Sequence, residues 1–397
     1  MPELTYVDPD QFLIDSFLLG RKVYLSGFRP KHAISIWRGG TPVGLGVDAF
    51  FRSRGLSIQH TTIATDSYQG ISQQGEVIVK NLEHLVQVIC PEDGLLIVDD
   101  VYESGSTIKG IVELLRKKAR ANAPREIVVA CMHNKPVERR CYNELPLISL
   151  HDVQPHLWID YPHELADLVD LADPDDTRIR EKSPEVWNIL HDQDDHQPSV
   201  VTGDCRYLPA RELLLDAVRL GVKMVKSGYR PDFLVALWPG GVWAGLGIHE
   251  VYKYFSKKQG WDWSGPDHVP VNTTRTHLSY RTHVIGLDYL AEHVQHEHNV
   301  LLVDTVFRSG RTHADLAASL KDLMRRNISL RKLQVASVYY TPSEQRTWTQ
   351  QPLRTEPDFY LRQVPEQLIY PHAPYRFVRP RLQLQEHAPA LAEVLFG

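Results

Sequence analysis

Cysteine is scarce in this chain of 397 residues: there are four, Cys90, Cys131, Cys141 and Cys205, none in CxxC spacing. That spacing indicates neither a zinc site nor a disulfide framework. No apolar run reaches the ~18 residues that a membrane-spanning helix needs. The opening MPELTYVDPDQ lacks the basic-then-apolar layout of a signal peptide. A cytoplasmic location is therefore expected. Positive charge is not in excess either, with 44 Lys and Arg against 49 Asp and Glu and a net charge of -5. That balance gives no basis for a nucleic-acid groove or for docking on an anionic membrane. The 19 histidines form no HExxH set, so His60, His133 and His151 are expected in surface or structural roles rather than on a metal.

What the chain does have is an internal repeat. Residues 12–46, FLIDSFLLGRKVYLSGFRPKHAISIWRGGTPVGLG, align without gaps with residues 213–247, LLLDAVRLGVKMVKSGYRPDFLVALWPGGVWAGLG. Gly20/Gly221, Lys22/Lys223, Ser26/Ser227, Arg29/Arg230 and Trp37/Trp238 match, as do loop glycines. A second stretch, LLIVDDVYESGST at 95–107, recurs as LLVDTVFRSGRT at 301–312. A period near 200 residues implies two copies of one domain, not a solenoid. The expected division is 1–171, a linker at 172–204, and 205–397. The linker is rich in Asp and Pro, with one short helix expected around Pro184–Leu190, and a helical close (PALAEVLF) is expected to pack on either domain.

Each copy opens with a helical pattern, carrying Phe12, Phe17, Leu18 and Val23 in the first, followed by a short apolar strand, Ala33–Trp37. The loop Arg38-Gly39-Gly40-Thr41 then leads into helical residues 42–54. Glycines at such a turn allow close backbone approach to a ligand. HTTIATDSYQGISQQGEV reads as a polar loop, too long for a simple turn. Strands alternating with helices predict an α/β fold with a mostly parallel sheet flanked by helices in each copy. The stretch 95–107 is the centre of the first copy. A buried strand, Leu95–Val98, ends in Asp99 and Asp100, and a Glu103-Ser104-Gly105-Ser106-Thr107 turn opens a helix. A helix N-terminus takes phosphate through its N–H groups, while the acids suit hydroxyls and Mg²⁺.

This arrangement resembles the PRPP-binding motif of the type I phosphoribosyltransferases. Three further segments, in the same order along residues 6–165, resemble that family too. WRGGT at 37–41 is similar to its pyrophosphate loop, TDSYQG at 65–70 to its mobile catalytic loop, and HNKP at 133–136 with WIDYPHE at 158–164 to the base-recognition hood of the 6-oxopurine (hypoxanthine/xanthine) branch. The resemblance implies roles for individual residues. Arg38, Gly39 and Gly40 would hold pyrophosphate, and Asp99 and Asp100 the ribose hydroxyls and Mg²⁺. Ser104, Gly105, Ser106 and Thr107 would cradle the 5′-phosphate. Ser67 and Tyr68 would close over the site, and Lys135, Trp158 and Ile159 would receive the base. Glu103 stands where the family usually has Asp, beside the purine N7, and would remove the proton that the base loses. The implied reactants are PRPP and a heterocyclic base, with Mg²⁺ as cofactor.

The second copy departs at the chemistry. Arg38 is matched by Pro239, Asp100 by Thr305, Glu103 by Arg308 and Lys135 by Thr341, while Asp304, Ser309, Gly310, Arg311 and Thr312 keep an anion-binding turn. The expectation is a catalytic first copy and a degenerate second one, forming an internal pseudo-dimer that itself associates or stands alone. The competing reading is a PRPP or nucleotide sensor that does not react its ligand, although no helix-turn-helix candidate or basic stretch supports it.

Overall fold

The computed structural model describes residues 4–67, 77–137, 140–195, 205–275, 282–325, 327–329, 331–342, 356–364, 367–377 and 379–397. The first repeat runs β1 (Leu4–Tyr6), α1 (Pro9–Leu25), β2 (His32–Trp37), α2 (Gly40–Ser53), β3 (Gln59–Ser67) and β4 (Val77–Lys80). It continues with α3 (Glu83–Val88), β5 (Gly94–Tyr102), α4 (Ser106–Ala119), β6 (Glu126–Asn134), β7 (Leu147–Asp152) and β8 (Trp158–Asp160). Two short helices follow, α5 (Thr177–Lys182) and α6 (Pro184–Leu190), one more than the sequence reading expected. The second repeat runs β9 (Cys205–Tyr207), α7 (Ala210–Lys226), β10 (Phe233–Trp238), α8 (Val242–Gln259), β11 (Asp267–Arg275), β12 (Thr282–Ile285) and α9 (Asp288–His293). It ends with β13 (Val300–Phe307), α10 (Arg311–Met324), β14 (Leu333–Tyr340), β15 (Phe359–Gln363), β16 (Gln367–Ile369), α11 (Pro380–His387) and α12 (Pro389–Phe396).

The chain divides into two compact units. Unit 1 holds Met1–Ile159, Ile285–Tyr289 and His372–Gly397, and unit 2 holds Asp160–Val284 and Leu290–Pro371. The helical close of the chain therefore belongs to unit 1, where α12 packs on α1, and α5 and α6 belong to unit 2. Each unit carries a six-stranded sheet, in the orders β4-β3-β2-β5-β6-β7 and β12-β11-β10-β13-β14-β15. In the first sheet β3, β2, β5, β6 and β7 pair in parallel and β4 runs antiparallel at the edge of β3. A fully buried parallel strand reads as a continuous run, and all of β2 but Trp37 is buried.

The expected polar loop after α2 is in fact β3 over its first eight residues, His60 to Ser67. His60, Thr61 and Thr62 lie buried between Gln59 and Ile63, so the polarity of the stretch concealed an interior strand. Thr is β-branched and suits a strand, and His60 Nε2 is 2.6 Å from the Ser35 hydroxyl.

α1 begins where Asp8 accepts from the N–H groups of Asp10 and Gln11 at 2.9 and 3.1 Å, with Pro9 in the first turn. Ile34 and Ile36 join Ile63, Leu95, Ile97, Val129 and the α4 residues Ile108, Ile111, Val112 and Leu115 in one apolar core. The alternate β2 residues, Ala33 and Ser35, face the other layer. Small side chains there let α2 lie close: a Cβ on Gly44 would stand 1.7 Å from the Ser35 hydroxyl. In this strand order, β2 is followed outward by β3 and β5 by β6. The two crossovers run in opposite directions, so their loops part between β2 and β5 and leave a crevice at the strands' carboxyl ends.

Candidate active site

The two loops at that crevice are the ones the sequence singled out. After β2, Trp37 and Arg38 are joined by a cis peptide, as are Trp238 and Pro239 in the second repeat, and Gly39 and Gly40 lie flat on the end of β5. A Cβ on Gly39 would fall 1.9 Å from the Asp100 carboxylate, and one on Gly40 would fall 2.5 Å from the Val98 carbonyl and 2.9 Å from the Asp99 Cα. No side chain fits at either position. Thr41 closes the turn by donating its N–H to the Arg38 carbonyl at 3.2 Å.

Asp99 and Asp100 are held together at the strand end. The Asp99 carboxylate accepts the Asp100 N–H at 3.1 Å, and the Asp100 carboxylate accepts the Val101 N–H at 2.8 Å. Burial pushes both carboxyl groups above the usual carboxylate range, and for Asp99 the neighbouring Asp100 adds to the rise. The Val101 N–H and the Arg38 guanidinium pull Asp100 partly back. Two carboxyls this close do not both ionise readily without a nearby cation.

After β5, Gly105 takes the left-handed conformation (φ 78°) and α4 starts at Ser106 with no side-chain cap. The first-turn N–H groups of α4 have no intrahelical acceptor and open toward the crevice end of the strand. The Ser104 and Ser106 hydroxyls lie 3.0 Å apart across the turn, and Thr107 follows, half-buried. The turn is braced from outside by residues the sequence reading passed over. Tyr102 donates its hydroxyl to the Tyr142 carbonyl at 2.5 Å, and the Cys141 N–H donates to the Ser104 carbonyl at 2.9 Å. Arg140 lies 4.9 Å from the centre of the Tyr102 ring and donates to Asn134 and to the Lys135 carbonyl. Arg140, four residues beyond HNKP, and a tyrosine closing the motif strand were the available signals.

Glu103 and Lys135, predicted on separate segments, meet: Lys135 Nζ is 3.8 Å from Glu103 Oε2. Lys135 is buried while half of Glu103 remains exposed. Lys135 is placed by its own N–H, which donates to the Tyr102 carbonyl at 2.9 Å. Its ammonium is also 6.0 Å from the centre of the Trp158 ring, which is 55% exposed, and Ile159 beside it is buried. Glu103, Lys135 and Trp158 therefore form one cluster next to the turn. Ser67 is the last residue of β3, and Tyr68 lies outside the described residues.

His60 and His133 are buried, and burial drops their imidazoles to about 3 and about 4. His151 stacks on His133 and sits 3.2 Å from Asp15. All three serve packing.

The second repeat keeps the backbone and differs in the side chains. Gly240 lies against Asp304 and Gly241 against the Val303 carbonyl, and Gly310 is left-handed like Gly105. At the position of Asp100, the Thr305 hydroxyl donates to the Gly240 carbonyl at 2.5 Å and ties loop to strand. Arg308 is exposed at the position of Glu103, with Ser309, Arg311 and Thr312 around the start of α10.

The chain matches no family model and no curated protein sequence. Among solved structures it is similar to a hypothetical protein from Neisseria gonorrhoeae with bound ppGpp, at 22% identity over 46% of this chain and 97% of that one, TM-score 0.35. It is similar to a purine phosphoribosyltransferase from Pyrococcus horikoshii, at 18% identity over 40% and 93% of the two chains, TM-score 0.30. It is also similar to a hypoxanthine phosphoribosyltransferase from Staphylococcus aureus, at 16% identity over 38% and 77%, TM-score 0.28.

Two consequences are measurable. Alanine at Gly105 would put a Cβ 2.6 Å from the Tyr142 carbonyl in a conformation that L-residues resist. Gly105→Ala should lower unfolding stability in urea by about 1–3 kcal/mol, and an unchanged midpoint would mean the turn relaxes freely. The raised Asp99 carboxyl favours the protonated folded state, so its contribution is complete below the ordinary value near ~3.9 and fades as pH rises through the folded one. Asp99→Asn keeps the acceptor oxygen and removes that penalty. Without metal it should melt about 2–4 °C above wild type at pH 8, with the gap closing toward pH 4. A gap independent of pH would contradict this account.

Proposed function

We propose that this chain is a Mg²⁺-dependent phosphoribosyltransferase acting through its first repeat, moving the 5-phosphoribosyl group from PRPP to a ring nitrogen of a 6-oxopurine or related heterocycle. The observation that carries this reading is the junction of three elements at one strand end. These are a side-chain-free loop pressed on two buried acids, a left-handed turn opening a helix, and an acid–lysine pair beside an exposed indole.

The donor side follows from charge. Gly39 and Gly40 expose backbone next to Asp100, and Arg38 brings a guanidinium to the same place, which suits an anionic leaving group. The helix start at Ser106–Thr107, with the Ser104 hydroxyl, suits the 5′-phosphate. Asp99 and Asp100 offer hard oxygen ligands whose mutual repulsion a divalent cation would relieve, so the residues present fit Mg²⁺. When bound there with PRPP, Mg²⁺ would neutralise charge on the departing pyrophosphate.

The acceptor side follows from the Glu103–Lys135 pair. Glu103 accepts a proton and Lys135 donates hydrogen bonds, so the two together match a heterocycle edge presenting a ring N–H beside a carbonyl oxygen. Trp158 offers a face for the ring. In the reaction the bond from ribose C1 to pyrophosphate oxygen breaks, a bond from C1 to the ring nitrogen forms, and the nitrogen's proton passes to the Glu103 carboxylate. Thr305 and Arg308 remove a carboxylate and the base from the second repeat, so we assign it no turnover.

The test is pyrophosphate release from PRPP and Mg²⁺ with a panel of purines and related heterocycles. Wild type should release pyrophosphate with at least one base, and Asp99→Asn/Asp100→Asn should not. Glu103→Gln should lower turnover by about 10²–10⁴-fold while still binding PRPP. Unchanged turnover removes Glu103 from the mechanism, and silence across the panel with PRPP still bound favours the sensor reading.

A further inference from the structure

Each unit receives a closing segment from the other repeat, entered near the last short strand of that repeat. In the first repeat the boundary falls between Ile159 and Asp160, at the end of β8, and in the second between Pro371 and His372, just after β16. Beyond these points the chain belongs to the unit built on the other repeat's sheet.

In unit 2 the received segment is bound by α8. Glu250 is buried and accepts the N–H groups of Leu165 and Ala166 at 3.1 and 2.9 Å. Lys257 donates to the Ala166 carbonyl at 2.6 Å, and Lys258 pairs with Asp176 at 2.7 Å. In unit 1 the received segment, residues 372–397, is bound by α1 and α2. α12 packs on α1, burying Leu391, Val394 and Leu395, and the Pro374–Arg376 turn packs on α2. Arg54, just past α2, donates to the Leu395 carbonyl at 3.0 Å. Asp48 is buried in α2 and paired with Arg52 at 2.7 Å, and both lie within electrostatic reach of Tyr375.

α2 has one functional end. It starts at Gly40, directly on the Arg38–Thr41 loop, and its axis is held from the sheet side by β2 and β5. Residues 372–397 supply contacts farther along the same helix. We propose that residues 372–397, although part of the second repeat, are a positioning element for the first repeat's Arg38–Thr41 loop, acting through α2. The degenerate repeat is thereby a structural part of the site that retains its chemistry. Reciprocity supports this: near its last short strand, each repeat's chain passes into the unit built on the other repeat's sheet. The substrate part of the proposal rests on the function proposed above, and the structural part does not.

The experiment uses the full chain. Leu391→Asp/Leu395→Asp should detach α12, and Arg54→Ala removes one bond without touching the core. Hydrogen exchange is followed on peptides covering 38–54, on 389–396 and, as an internal control, on 300–324. The double variant should speed exchange in 38–54 by about tenfold or more with the control unchanged, and Arg54→Ala should speed it less. Leu395→Met should restore wild-type protection. In steady state the Michaelis constant for PRPP should rise several-fold while that for the base holds, because only the loop has moved. Unchanged exchange in 38–54 when 389–396 has been freed overturns the proposal, as does an equal rise in both Michaelis constants. If the double variant unfolds outright, Arg54→Ala decides by the same peptides, and no change there overturns it. Absence of PRPP binding by wild type would defeat the functional reading alone, since the exchange experiment needs no ligand.

Discussion

The site depends on how closely the Arg38–Gly40 loop can lie on the carboxyl end of β5. Gly39 touches the Asp100 carboxylate and Gly40 the Val98 carbonyl, at distances that exclude any Cβ. This contact does two things at once. It shields the acids from water, which raises them above the usual carboxylate range, and it leaves bare backbone facing the crevice. Two buried carboxyls held this way repel each other when both are charged, which is unfavourable for the folded protein. Stored repulsion of that kind is common where binding must be strong in one charge state.

The second repeat shows the same backbone relaxed. Gly240 and Gly241 keep the close approach, and Gly310 keeps the left-handed turn. Thr305 replaces a buried carboxylate with a hydroxyl that bonds the loop itself. A neutral internal hydrogen bond carries no ionisation penalty, so the second repeat's loop is held by the protein itself. The close glycine approach is thus separable from the paired acids, which only the first repeat carries.

Much of this was legible in the residues and some was not. The duplication, the strand ending in Asp99-Asp100, and the glycine turn all leave local patterns, and the elements formed where those patterns stand. β3 was hidden because its buried run, His60-Thr61-Thr62, is polar, and polarity was read as exposure. The strand is instead accommodated by bonds such as Ser35 to His60. The Glu103–Lys135 pair joins residues far apart in the chain, and only the register of β5 with β6, Tyr102 beside Asn134, brings them together. The bracing by Arg140, Cys141 and Tyr142 leaves only a faint signature, an arginine after HNKP and a tyrosine at the strand end, since much of it consists of backbone acceptors. Membership of residues 372–397 in unit 1 is silent, because apolar faces such as Leu391–Leu395 say that a helix is buried and not against what.

Fusing two copies changes what selection can remove. In a dimer of identical chains, a substitution that spoils the acids spoils both sites. In a tandem chain one copy can vary at the positions of Asp100, Glu103 and Lys135 while its packing contacts persist. The two repeats differ in that way: Pro239, Thr305, Arg308 and Thr341 stand where the first repeat has Arg38, Asp100, Glu103 and Lys135, whereas the apolar face of α12 and the Leu395 carbonyl in unit 1 are buried and engaged. In the other direction Glu250 is held as a buried acid on α8, with two backbone N–H partners from residues 165 and 166. A buried carboxylate without such partners would be strongly destabilising, so the second repeat has its own reason to keep the first repeat's closing segment. Each repeat carries polar groups that the other repeat's segment meets, Glu250 with the N–H groups of residues 165 and 166 and Arg54 with the Leu395 carbonyl.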